Sequence, residues 1–296
     1  MIIRYFLIFT FLCGMFSTKA PAQPHLEQGD LLFERGRFFE ASIQYERVFF
    51  DQPGWDLLHK SRYKKALCYR HLGRYEDALS EIRRIALFHA EDSFKTKVLY
   101  EKAFNLLLSN YYSEALLTIK QIKEGEISES IISNILPLKI LILNRNRKWN
   151  QAKSVFYRWL KTLSYSEKML RQWKDTISVF YSESRLPANY SEKTARNWSR
   201  FIPGAGQIYS GHAWEGAGSF LLNGAAIGLG IHQVFYGYYF TGYVAGFGIF
   251  YKTYFGGMER AANLADIENE NEMVSFNKSC SRIIQKLIQN QSSSSN

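Results

Sequence analysis

The sequence predicts an all-α protein: a solenoid of helical hairpins, followed by a glycine-rich helical hairpin that crosses a membrane. Three observations carry this. A pattern of aromatic, alanine and bulky apolar residues recurs every 37 residues over four copies in the first half of the chain. The 36 residues from Gly216 to Tyr251 contain no Asp, Glu, Lys or Arg. The chain also opens on an apolar run, Tyr5 to Phe16, that closes with Ala20-Pro21-Ala22.

That opening, residues 1–22, reads as a secretory signal cleaved before Gln23: one Arg, then a short apolar run, and small residues at the cleavage point. The run is too short to span a bilayer comfortably. A lipoprotein signal fits less well, because bulky Phe11 and Leu12 precede Cys13 where small residues belong. Cleavage removes Arg4 and Lys19 and lowers the formal charge from +10 to +8. The remaining basic residues are scattered, and an exported chain rarely meets nucleic acid, so anionic lipid or an acidic protein is the better partner. Cys68 and Cys280 would survive cleavage. Cys68 falls on an apolar helix face, so packing is expected there rather than a disulfide.

The repeat aligns "GRFFEASIQYERV" from Gly36, "GRYEDALSEIRRI" from Gly73, "NYYSEALLTIKQI" from Asn110 and "RKWNQAKSVFYRW" from Arg147. Its columns are Phe38, Tyr75, Tyr112 and Trp149; Ala41, Ala78, Ala115 and Ala152; and Tyr45, Ile82, Ile119 and Phe156. Spacings of three and four put these residues on one helix face. A preceding helix carries a small residue at Gly29, Ala66 and Ala103, with Ile140 breaking the column. Each unit is therefore a helical hairpin that buries one face against the next.

These residues resemble the tetratricopeptide repeat over about residues 23–164. The first copy carries the family's small residue, Gly-aromatic turn, alanine, aromatic and closing proline at Gly29, Gly36, Phe38, Ala41, Tyr45 and Pro53. The 37-residue period exceeds the family's 34, which implies longer loops. The fold class becomes a tetratricopeptide-like helical-hairpin solenoid followed by a glycine-rich transmembrane helical hairpin. The resemblance implies a concave surface for a peptide or protein. Its groove positions fall on Lys60, Tyr63, Leu67, Arg70 and His71, and on Lys97, Tyr100, Phe104, Leu107 and Leu108. The family's Lys/Asn clamp for a terminal carboxylate is absent, since Tyr63, Tyr100, Leu67 and Phe104 stand in its places. Ser166 to Glu183 reads as a helix capping the open end of the array.

The stretch "IPGAGQIYSGHAWEG" is dense in glycine. It does not build a phosphate loop, because His212 and Ala213 stand where Lys and Ser/Thr belong. The dinucleotide pattern fails as well, for want of a third glycine. The uncharged run after it matches two short crossings with a turn at Tyr236 to Gly242. The pairs Gly224 with Gly228 and Gly242 with Gly246 would let the two helices touch in lipid. Trp214, Tyr251 and Tyr254 would sit at the headgroup layer. The motif Pro203, Gly204, Gly206, Gln207, Tyr209 and Gly211 resembles the opening of small bacterial membrane families, among them the two-transmembrane-helix family. In the structural reading Pro203 and the glycines form a tight turn and Gln207 caps a helix end. Lys193, Arg196 and Arg200 before the hairpin and Lys252 and Arg260 after it would favour cytoplasmic flanks, in conflict with the signal.

No catalytic constellation assembles. The six histidines show no metal-ligand spacing and there is no nucleophile elbow, so an enzyme, a metal and a cofactor are not expected. The expected organisation is a signal at 1–22, repeats and cap helix at 23–183, a linker at 184–200, the membrane hairpin at 201–258, a helix at 259–290 and a disordered tail at 291–296. The expected function is a protein–protein interaction scaffold or assembly factor, tethered to a membrane of the bacterial envelope with its repeats in the periplasm. The alternative is a subunit of an oligomeric pore or transport element, with the hairpin as the route to a homo-oligomer.

Overall fold

The protein is described as a computed structural model covering residues 22–294, except 52, 89, 124 and 126. The signal-peptide expectation rests on residues 1–21 and lies outside the described residues. The chain divides into two compact units, one ending at Leu163 and one beginning at Ser164. Among the described residues every regular element is helical.

The first unit is four helical hairpins in sequence. They are α1 (Ala22–Glu34) with α2 (Phe38–Phe50), and α3 (Trp55–His71) with α4 (Tyr75–Arg83). The third and fourth are α5 (Asp92–Leu108) with α6 (Tyr112–Lys120), and α7 (Glu129–Arg145) with α8 (Trp149–Thr162). Each helix packs on the next, and the first helices of neighbouring hairpins also touch, α3 on α5 and α5 on α7. The repeated columns form the core. Ala41, Ala78, Ala115 and Ala152 are fully buried, and so are Tyr45, Ile82, Ile119 and Phe156 to within 3%. Burying each such large side chain contributes about 1.5–3 kcal/mol. Opposite them, Gly29 is small because Tyr45 lies over it: a Cβ there would sit 2.6 Å from the ring. Ile140 keeps its buried place in the fourth copy despite its size.

One backbone feature sets the 37-residue register. Gly36, Gly73, Asn110 and Arg147 all have positive φ, between 53° and 73°. At each, two amide N–H groups turn back on the helix just ended: Gly36 donates to the Phe33 carbonyl and Arg37 to the Leu32 carbonyl, and the same pair recurs in the other three copies. This left-handed cap satisfies the carbonyls a helix end leaves open. The next helix starts at the aromatic two residues on. Glycine and asparagine reach this conformation at low cost, which accounts for the first three copies.

The second unit contains α9 (Glu167–Phe180), α10 (Glu192–Phe201), α11 (Ala205–Tyr209), α12 (Ala213–Phe235) and the 47-residue α13 (Gly248–Ser294). Between α12 and α13 lie a helical turn, Tyr239–Thr241, and a π-helical stretch, Gly242–Phe247. The helix expected to cap the array, α9, belongs to this unit, where Phe180 stacks on Phe276 of α13 at 4.4 Å. Much of the segment expected as a linker is α10, whose Ala195 packs against Ala261 and Ala265. The same left-handed cap as in the repeats appears at Gly211 and Gly237, with identical hydrogen bonding. The residues expected as a loose tail extend α13 to Ser294, since adding residues to an established helix is far easier than starting one.

The membrane expectation is corrected. Among the described residues no helix is long and apolar enough to cross a membrane, so a membrane-anchored chain with periplasmic repeats is not supported. With it goes the crossing on which the pore alternative rested. The 23 residues of α12 suffice in length, but five glycines, Asn223, Gln233, His232 and Glu215 dilute their hydropathy. The return helix becomes charged at Lys252 and stays so. A charge-free run is a weaker property than an apolar one.

The packing of the hairpin is corrected in part. Gly242 and Gly246 do meet α12, but at Gly230: a Cβ on Gly246 would lie 2.4 Å from the Gly230 Cα. A Cβ on Gly224 or Gly228 would meet nothing within 4 Å. The inward face of α12 is Asn223, Ala226 and Gly230, spaced three and four, and Gly224 and Gly228 lie off it.

Candidate functional site

The glycine motif and the inner face of the repeats are the two candidates. At the motif, Gly204 has φ +92° and a Cβ on it would lie 2.0 Å from the Gly216 carbonyl oxygen; one on Gly206 would lie 1.9 Å from that of Ala195. Only glycine lets α10, α11 and α12 approach so closely. Gln207 is 1% exposed. Its Oε1 accepts from Ser199 Oγ at 3.0 Å, and its Nε2 donates to the Gly257 carbonyl at 3.0 Å. Ser199 Oγ accepts in turn from the Gly206 N–H. Gln207 therefore ties α11 to α10 and to the third turn of α13, and does not cap a helix end. Tyr209 packs its ring on Tyr190 at 5.6 Å, and its hydroxyl accepts from the Ser191 N–H. Pro203 is half-buried and Gly211 supplies the left-handed cap before α12. The motif is a packing joint whose side-chain polar groups are consumed within the unit. Two residues of the basic flanks are partnered too, Arg260 with Glu215 at 2.6 Å and Arg196 with Glu259 at 2.9 Å. The Arg260 guanidinium holds the Glu215 carboxyl below the usual carboxylate range.

The groove residues of α3 and α5 divide into two groups. Arg70, Tyr100 and Phe104 form a connected strip along the two helices, with Tyr63 within electrostatic reach of Arg70 and Tyr100. Tyr63 packs on Phe94 at 5.8 Å, Tyr100 stacks on Phe104 at 6.2 Å, and the Arg70 guanidinium lies 5.2 Å over the Phe104 ring. Burial raises the Tyr63 phenol to about 12 and pushes up that of Tyr100, so both are neutral hydrogen-bonding groups at any physiological pH. Lys60 and Lys97 are exposed, and Lys60 makes only a surface pair with Asp56 at 2.7 Å. Leu107 is half-buried and Leu108 exposed near the C-terminal end of α5.

The second group turns the other way. His71 stacks on Phe38 at 4.3 Å and meets Phe33 edge-on, so it faces the first hairpin. Burial, then the Arg70 charge, lowers its pKa. Leu67 lines a cavity of about 250 Å³ with Asp30, Phe33, Glu34, Tyr45 and Lys64. There Asp30 accepts from the Tyr45 hydroxyl at 2.7 Å and pairs with Lys64 at 2.5 Å.

Sequence reasoning missed the acidic members. Glu101 is 3% exposed, pairs with Arg70 at 2.5 Å and accepts from Asn105. Burial raises its pKa against the pull of the Arg70 charge and of its hydrogen bonds. Lys65 and Glu81 form a second buried ion pair at 2.9 Å, and Glu46 also bonds Lys65. Such charges sit at helical spacings that read as a solvated face, and only the stacking of hairpins buries them. Cys68 and Cys280 are buried, and burial raises the Cys68 thiol to about 12, which leaves it protonated and inert. Among the described residues no group of three or more His, Cys, Asp or Glu could hold a metal ion.

Comparison with known proteins adds no name: no family model, no curated protein and no solved structure matches the chain.

Proposed function

We propose that the first unit is a tetratricopeptide-type scaffold that binds a peptide or protein along the inner face of α3 and α5. The observation that carries the proposal is the strip of Arg70, Tyr100 and Phe104, with Tyr63 beside it, between exposed Lys60 and Lys97. Half-buried aromatics held rigid by neighbours lose little entropy on binding, and Tyr and Arg are the residue types that anchor interfaces. Arg70 is neutralised by Glu101, so the net charge of this face comes from the lysines at its rim. A partner with aliphatic or aromatic side chains and flanking carboxylates suits it. Rim charges act chiefly on association rate and salt dependence.

The test is affinity capture with the wild-type chain and with Lys60→Glu/Lys97→Glu, both positions being exposed. A true partner is held by the first and lost by the second, and it survives Ser113→Glu on the outer face. Identical capture by all three chains would sink the proposal.

A further inference from the structure

The hairpin of the second unit presents an apolar surface that the fold leaves uncovered. At its tip Phe235 is 88% exposed, Phe240 80%, Tyr239 70% and Tyr243 66%. With roughly 150–250 Å² per ring, these four alone leave about 500–700 Å² of aromatic surface in water. A single-chain protein rarely shows an apolar patch above about 300–600 Å². Leu221 and Ile231 along α12, each more than half exposed, extend the patch toward the roughly 800 Å² per partner of a stable interface.

Beside these rings the hairpin is hollow. A groove of about 590 Å³ runs between α12 and the return segment, walled by Ile231, Val234 and Phe247, rimmed by three of the rings themselves, Phe235, Tyr239 and Tyr243, and floored by Gly230 and Gly246. It contains no charged group. Its floor is low because the glycines that let the two backbones touch carry no side chain to fill it.

We propose that a second copy of this chain covers the surface, the two hairpins pairing about a two-fold axis into four-helix packing. Rings and groove belong to the same hairpin, so a two-fold axis seats the rings of each copy in the groove of the other. Charge points to the same occupant. Two ion pairs near the hairpin's base close within the chain, Arg260 with Glu215 and Arg196 with Glu259. The span from Gly216 to Tyr251 has none, and so matches a surface equally free of charge. Two of the four tip rings, Tyr239 and Tyr243, are tyrosines, which give a protein interface apolar area with a hydroxyl for its polar rim. Gly224 and Gly228, open on the outward side of α12, allow a second backbone to come close.

The test uses the full chain. Light scattering across the micromolar range should show a concentration-dependent dimer. Phe235→Asp/Phe240→Asp should weaken pairing by roughly tenfold or more, with helical circular dichroism unchanged. In a second arm Tyr239→Cys, otherwise wild type, should give a covalent dimer on mild oxidation, since both native described cysteines are buried. A chain monomeric throughout, association indifferent to the double substitution, or no covalent dimer from Tyr239→Cys would overturn the proposal. So would a monomer taken up by phosphatidylcholine vesicles through the hairpin, which would assign the surface to lipid.

Discussion

Gly36, Gly73, Asn110 and Arg147 show how much one backbone angle decides. All four adopt the left-handed conformation that closes one helix and aims the next. A Cβ on Gly73 would meet nothing within 4 Å, so a substitution there is felt through the backbone alone. Gly73→Ala should cost about 1–2 kcal/mol, whereas Gly73→Asn, copying the third repeat, should cost clearly less. Urea titration of the two variants measures this, and equal costs would mean the turn is not what limits them. His59 offers a test by pH. It is 6% exposed, its ring lies edge-on to Trp55 at 4.5 Å, and burial, then the Arg62 charge, holds its pKa below 6.5. A lowered histidine pKa means folding favours the neutral ring. That contribution is present above about pH 6.5 and is lost as pH falls through the lowered folded value. His59→Leu should therefore reduce the stability lost between neutral and mildly acidic pH. The wild-type and variant curves running parallel would refute it.

At the scale of elements, the same alanine column that reveals the repeat also fixes how closely helices lie. Ala115 is fully buried and Ser113, two residues away on α6, is exposed. Ala115→Leu should overpack the α5–α6 contact and cost about 1–3 kcal/mol, while Ser113→Leu should stay within about 0.5 kcal/mol of wild type. Equal shifts in thermal midpoint would show the register to be wrong. The groove was legible to a similar degree. Tyr63, Arg70, Tyr100 and Phe104 do lie together because α3 and α5 run side by side, but His71 and Leu67 turn toward α1. A helix position specifies a face. Which neighbour meets that face depends on how the hairpins stack.

For the whole molecule, the division at Leu163 is the testable feature. The core columns of the four hairpins are satisfied within the first unit, as a chain of nearest-neighbour contacts should be. A chain of residues 22–163 should thus be helical and melt cooperatively by circular dichroism; a broad, non-cooperative melt would count against the first unit being self-sufficient. The sequence by itself determined the helical class, the four-fold period and its buried columns, because these follow from side-chain spacing on a helix and from the few residues that accept positive φ. It also marked Gly242 and Gly246 as close-packing positions. Only the tertiary structure decided that Gly230 is their partner, that Gln207 joins three helices, and that Glu101 and Glu81 are buried. Each of these depends on which helices become neighbours, and a contact between residues tens of positions apart leaves no local pattern. The uncharged run was read as a span because charge is easy to count in a sequence. Glycines and polar residues within it decide whether lipid would accept it, and packing decides how much of it is left bare.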